Sequence, residues 1–145
     1  MMNEEIKSYQ NLDVYKNSYN GMLIIFKRIL PTLPPEERYD LSDQLRRSSK
    51  AIPRLIAEGH SKRHQKRGFI KYLDDAHAES NETIVSLQQV NDLYFVERNK
   101  GLLTELADLY DKISRQLYNL KKSWERRYEY GVERKGETRG VKRYA

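Results

Sequence analysis

Apolar residues recur along this chain at alternating spacings of three and four, in four separate runs. The first is Leu12, Tyr15, Tyr19, Met22, Phe26 and Ile29. An α-helix completes a turn every 3.6 residues, so this spacing keeps one face apolar and predicts a helix from about Leu12 to Leu30. Pro31, Pro34 and Pro35 close it. The second run is Leu41, Leu45, Ile52 and Ile56, in a helix expected from Pro35 or Glu36 to Glu58. Glu36 and Glu37 suit the positive end of its dipole, and Gly59 suits a left-handed terminating residue. The third is Phe69, Leu73, Ala76, Ser80, Ile84 and Leu87, reaching about Val90. The polar connection from His60 to Gly68 is short enough to fold this helix back on the second. The fourth begins near Glu97 with Leu103, Leu106, Tyr110, Ile113, Leu117, Leu120 and Trp124. Three heptads of this kind make either a bundle core or a coiled-coil seam between chains.

The pattern predicts an all-α, antiparallel up-down-up-down four-helix bundle over residues 1–130. Beyond Tyr130 the repeat stops, and Gly131, Gly136 and Gly140 stand among charges. Residues 131–145 are therefore expected to be a basic, flexible C-terminal tail. Pro53 falls inside the second helix, where it removes a backbone donor and crowds the preceding turn, so a bend or break is expected between Ser49 and Pro53. Ile24, Ile25 and Leu102 are left over from the core stripes and are candidates for a contact between subunits.

Composition narrows the class. The chain has 145 residues, 33% of them charged, and a mean hydropathy of −0.89. That length suits one domain, and a domain of that size buries about 70% of its unfolded surface. With 7 Gly and 4 Pro it lacks the turn residues of an all-β protein. It has no cysteine, so disulfides and thiolate metal sites are excluded, in keeping with a reducing compartment. The longest apolar run, Met22 to Phe26, falls far short of a membrane span, and the N-terminal stretch lacks the apolar segment of a signal peptide. A cytoplasmic protein is expected.

Charge is unevenly placed. The overall net charge is +6, but Arg46 to Lys71 holds nine Lys/Arg against one acid, Glu58. Lys121 to the end holds nine more against Glu125, Glu129, Glu133 and Glu137. Clustered positive charge attracts polyanions, RNA or DNA above all. Arg46, Lys50, Arg54, Lys62, Arg63, Lys66, Arg67 and Lys71 are the candidate phosphate contacts, with Tyr72, His60 and His64 near enough in sequence to stack on unpaired bases. The same cations also suit an acidic partner protein, or a merely solvated face.

Other chemistry is thin. If the second and third helices fold back about Arg63, Arg47 comes level with Glu79 and Gln44 with Glu82, so a structural ion pair from Arg47 to Glu79 or Glu82 is expected. Asp74 and His77 are spaced i, i+3, but a di-iron bundle needs two such units with Glu and two further glutamates. No metal or other cofactor is expected. There is no Gly-x-Ser-x-Gly elbow and no Gly-rich phosphate loop, so an enzyme is not expected.

Several short motifs stand in a telling order: Leu12-Asp13-Val14-Tyr15, Glu37-Arg38-Tyr39, Gln44-Leu45-Arg46-Arg47-Ser48-Ser49, Ile52-Pro53, Ile56-Ala57-Glu58-Gly59, Phe69-Ile70-Lys71-Tyr72-Leu73 and Ser80-Asn81-Glu82. Together, over Tyr9 to Trp124, they resemble the bacterial four helix bundle protein family, often encoded by intervening sequences within large-subunit ribosomal RNA genes. The resemblance implies a four-helix protomer in a homo-oligomeric ring, typically a pentamer, in a family for which no enzymatic activity is established. It also implies relationship to the accessory variability determinant of diversity-generating retroelements, a basic pentameric barrel that binds nucleic acid and a reverse transcriptase. Tyr15 stands where that family often has tryptophan, and Arg54 where it often has a small polar residue. The function expected is a non-enzymatic, oligomeric nucleic-acid-binding accessory protein. The alternative is a scaffold that docks an acidic partner protein such as a reverse transcriptase.

Overall fold

The computed structural model describes residues 8–65 and 67–139, with side chains described as far as Arg127. Among the described residues there are four α-helices and no strand: α1 (Asp13–Ile24), α2 (Leu41–Ser61), α3 (Gly68–Leu93) and α4 (Lys100–Arg139). Helices α1 and α3 each pack against both α2 and α4, so the four enclose one core. The arrangement is a four-helix bundle.

Three stripes match the sequence pattern. Leu41, Leu45, Ile52 and Ile56 of α2 are all buried, as are Phe69, Leu73, Ala76, Leu87 and Val90 of α3. In α4, Leu103, Leu106, Tyr110, Ile113 and Leu117 are buried and Leu120 and Trp124 pack against them. The seam of α4 thus faces its own chain's core. The backbone of α4 runs past Tyr130 to Arg139, and residues 140–145 lie outside the described residues.

The stripe of α1 differs. Its buried residues are Val14, Ser18 and Gly21, followed by Ile25 and Ile29 in the π-helical turn that continues α1. Tyr15 and Phe26 only pack against the core, and Tyr19 is exposed. Small residues explain the rotation. The Tyr110 ring lies so close to Gly21 that a Cβ there would sit 2.7 Å from its hydroxyl. Periodicity counted large apolar side chains and overlooked the small ones that admit a partner's ring. The π turn keeps Ile25 and Ile29 on the core side. Ile25 is therefore no subunit contact, and Ile24 and Leu102 pack against the core.

In α2 the break expected at Pro53 and the terminating role expected of Gly59 are both corrected. Pro53 is buried inside a helix that runs unbroken from Leu41 to Ser61. Gly59 lies within that helix and does not end it. A Cβ on Gly59 would stand 2.5 Å from the Cβ of Tyr72, so the residue is small because α3 passes there. The left-handed residue of this corner is Arg67, with φ 57°.

Candidate nucleic-acid interface

The contact of Gly59 with Tyr72 and a 2.8 Å hydrogen bond between the buried hydroxyls of Ser48 and Thr83 fix the register of α2 on α3. Continued along the helices, that register brings Arg47 level with Ile84, a full turn beyond Glu79. The expected inter-helix ion pair is therefore absent. Arg47 instead pairs within its own helix, Nε to Asp43 Oδ2 at 3.3 Å, with both side chains exposed. Glu82 is exposed and Glu79 half-buried. Burial, then the neighbouring Glu82, raise the pKa of Glu79, and the charge of Arg47 opposes them only in part. The sequence estimate failed because it centred the reversal on Arg63, whereas α2 continues to Ser61 and α3 starts only at Gly68.

The candidate phosphate contacts separate into two groups. Lys50 and Arg54 are exposed and share a face of α2 with Arg47, the residue expected in the ion pair and equally exposed, at spacings of three and four. Lys50 reaches toward α1, its Nζ 5.9 Å from the Phe26 ring centre. Arg46 is half-buried beside them. The second group gathers where the chain turns. Lys62, Arg67 and Lys71 line an open cleft of about 610 Å³ together with Tyr72, Gly68 and Asp74. Lys62 Nζ and Lys71 Nζ lie 5.9 and 5.8 Å from the centre of the Tyr72 ring. Asp74, the cleft's carboxylate, is held by Lys121 of α4 at 3.1 Å. Lys71 also pairs with Asp75 at 3.5 Å, in an exposed contact that solvent weakens. Lys66 lies outside the described residues.

Two candidates are engaged within the fold. Arg63 donates to the His60 carbonyl at 2.8 Å and lies 3.3 Å from His60 Nδ1, so it satisfies a carbonyl in the last turn of α2. His60 is buried, with its ring edge-on to Phe69 at 5.7 Å, and cannot offer a face to a base. His64 is exposed. Asp74 and His77 do not converge: the first is engaged by Lys121, and the second lies 6.4 Å from the Tyr118 ring. Among the described residues no cluster of three or more His, Asp or Glu could hold a metal ion.

One aromatic on this side was missed from the sequence. Tyr118 is 47% exposed and has Lys121 Nζ and Lys122 Nζ at 6.0 and 5.6 Å from its ring centre. Its signal was Tyr118-Asn119-Leu120-Lys121-Lys122, an aromatic next to two cations but off the core stripe.

The model of the 23S rRNA-intervening sequence protein family matches residues 10–132. The chain belongs to that family. The match covers α1 to α3 and most of α4, so the cleft and Tyr118 both fall inside it. No curated protein matches the chain. As a member of the 23S rRNA-intervening sequence protein family, the chain keeps its Arg46–Lys71 cations within the family's matched region.

Proposed function

We propose that this protein is a non-enzymatic accessory protein that binds RNA or DNA through the cations of α2 and of the α2–α3 corner. Its helices run up-down-up-down, and its protomers assemble into a ring, a pentamer by family resemblance. The cleft carries this reading. Lys62, Arg67 and Lys71 converge on it, and Lys121 offsets its carboxylate, so its local charge is positive. A phosphate backbone laid along such a surface releases counterions and binds without regard to sequence. Repetition of a weak patch around a ring multiplies affinity with no tight single site. The family's description, which refers to ribosomal RNA, supports a nucleic-acid setting. The hydroxyls of Ser48, Ser49, Ser80, Thr83 and Ser114 bond backbone groups, one another or the Asn81 amide, which supports structural rather than nucleophilic use of these residues.

The test is binding of labelled single-stranded RNA and duplex DNA over a salt series. The triple variant Arg54→Gln, Lys62→Gln, Lys71→Gln removes exposed or half-exposed cations and should keep its helicity. The slope of log affinity against log salt should flatten by about 0.7 per lost contact for single strands and about 0.9 for duplex DNA. If wild-type protein binds neither probe at low salt, this reading fails and an acidic protein partner takes its place. Light scattering checks the ring: a monomer at micromolar concentration removes it.

A further inference from the structure

Tyr72, half-buried on α3, and Tyr118, exposed on α4, share one feature. Each ring carries two lysine ammonium groups within about 6 Å of its centre: Lys62 and Lys71 on Tyr72, Lys121 and Lys122 on Tyr118. Each ring opens on a hollow. The Tyr72 cleft has about 610 Å³, and the Tyr118 hollow, where Asn81 and the Arg115–Asp111 ion pair also lie, has about 430 Å³. The bond from Lys121 to Asp74 joins the two, since Asp74 lines the first cleft and Lys121 borders the second ring.

We propose that single-stranded nucleic acid binds along this α3–α4 face, with one unpaired base stacked on Tyr72, another on Tyr118, and the intervening phosphates held by the flanking lysines. This rests on the nucleic-acid reading above and adds the class of strand. Cations by themselves do not distinguish strands, because a duplex and a single strand both present phosphates. An aromatic ring does, because only an unpaired base can offer it a π-face. Tyr72 is held in place by the close approach of its Cβ to Gly59. Lys71, Lys121 and Lys122 also pair with Asp75, Asp74 and Glu125, in partly exposed contacts that solvent weakens, and these long, flexible side chains can exchange ring and carboxylate for phosphate when a strand arrives.

The test uses labelled oligouridine and oligodeoxythymidine of about 12 nucleotides, within the span of one small single-strand site, and a duplex of equal length. Tyr72→Leu and Tyr118→Leu keep the Cβ, and circular dichroism confirms that each is folded. Each should lower single-strand affinity about tenfold and leave the duplex unaffected. The salt slope should stay unchanged, because no phosphate contact is lost. Tyr72→Phe and Tyr118→Phe should restore binding. Tyrosine dependence with either sugar supports the inference and assigns the strand. Variants that weaken single strand and duplex alike, or weaken neither, overturn it and leave the nucleic-acid reading standing. Binding to no probe overturns both.

Discussion

The hydroxyl oxygens of Ser48 and Thr83 lie 2.8 Å apart in the buried seam between α2 and α3. Thr83 also bonds the Glu79 carbonyl at 2.9 Å, which leaves Ser48 as the donor to Thr83. Burial makes this bond specific, because a register shift would take the Ser48 hydroxyl away from Thr83, which would keep only its bond to Glu79 within α3. Thr83→Val should lower stability by about 1–3 kcal/mol, the cost of an unsatisfied buried group. The double variant Ser48→Ala, Thr83→Val should recover most of it. Urea denaturation of the four proteins in a double-mutant cycle measures the coupling, and strictly additive losses would count against it.

Gly59→Ala puts a methyl where Tyr72 already is, 2.5 Å from its Cβ. Both helices must move to admit it, at a cost of about 1–3 kcal/mol. A residue that merely ended a helix would transmit nothing to α3. The variant should therefore be destabilised and should also lose single-strand binding through Tyr72. Unaltered stability in thermal denaturation would contradict the close approach.

Tyr110 carries a buried hydroxyl with no hydrogen-bond partner among the described residues, and burial pushes its pKa well above the ordinary tyrosine value. Removing an unpaired buried hydroxyl while keeping the ring should help. Tyr110→Phe is expected to stabilise the fold by about 1 kcal/mol, seen as a rise in Tm. A fall in Tm would mean that the hydroxyl is satisfied.

Arg47→Ala should cost little, below about 0.5 kcal/mol, because it breaks an exposed i, i+4 pair with Asp43. A loss of several kcal/mol by chemical denaturation would instead indicate a buried carboxylate stranded on α3.

Acid should unlock the end of the bundle opposite the basic corner. Glu37 accepts bonds from the Tyr94 hydroxyl and from the Leu41 amide, and these two, in that order, lower its pKa. A lowered carboxylate pKa stabilises the fold above the ordinary carboxylate range, and this is lost as pH falls through the folded value. Tyr94→Phe removes the larger cause, so its stability should decline less on acidification than that of wild type. Parallel Tm-against-pH curves for the two proteins would show that the bond contributes nothing.

Periodicity alone settled the number of helices, their class and three of the four core stripes, because large apolar side chains at a 3.6-residue repeat must bury a common face. Charge alone marked the Arg46–Lys71 segment. Pairing between helices was not legible, because it depends on contacts that leave no periodic trace. The Arg47–Glu79 expectation failed on the register that Ser48, Thr83, Gly59 and Tyr72 set. The stripe of α1 was misplaced because Ser18 and Gly21 are buried by being small, which hydropathy does not record. Arg63 and His60 left the candidate surface for the same kind of reason: whether a cation or a ring is free depends on what stands next to it. Tertiary packing made that choice, and it brought Tyr118, distant in sequence, alongside the cleft through Lys121 and Asp74.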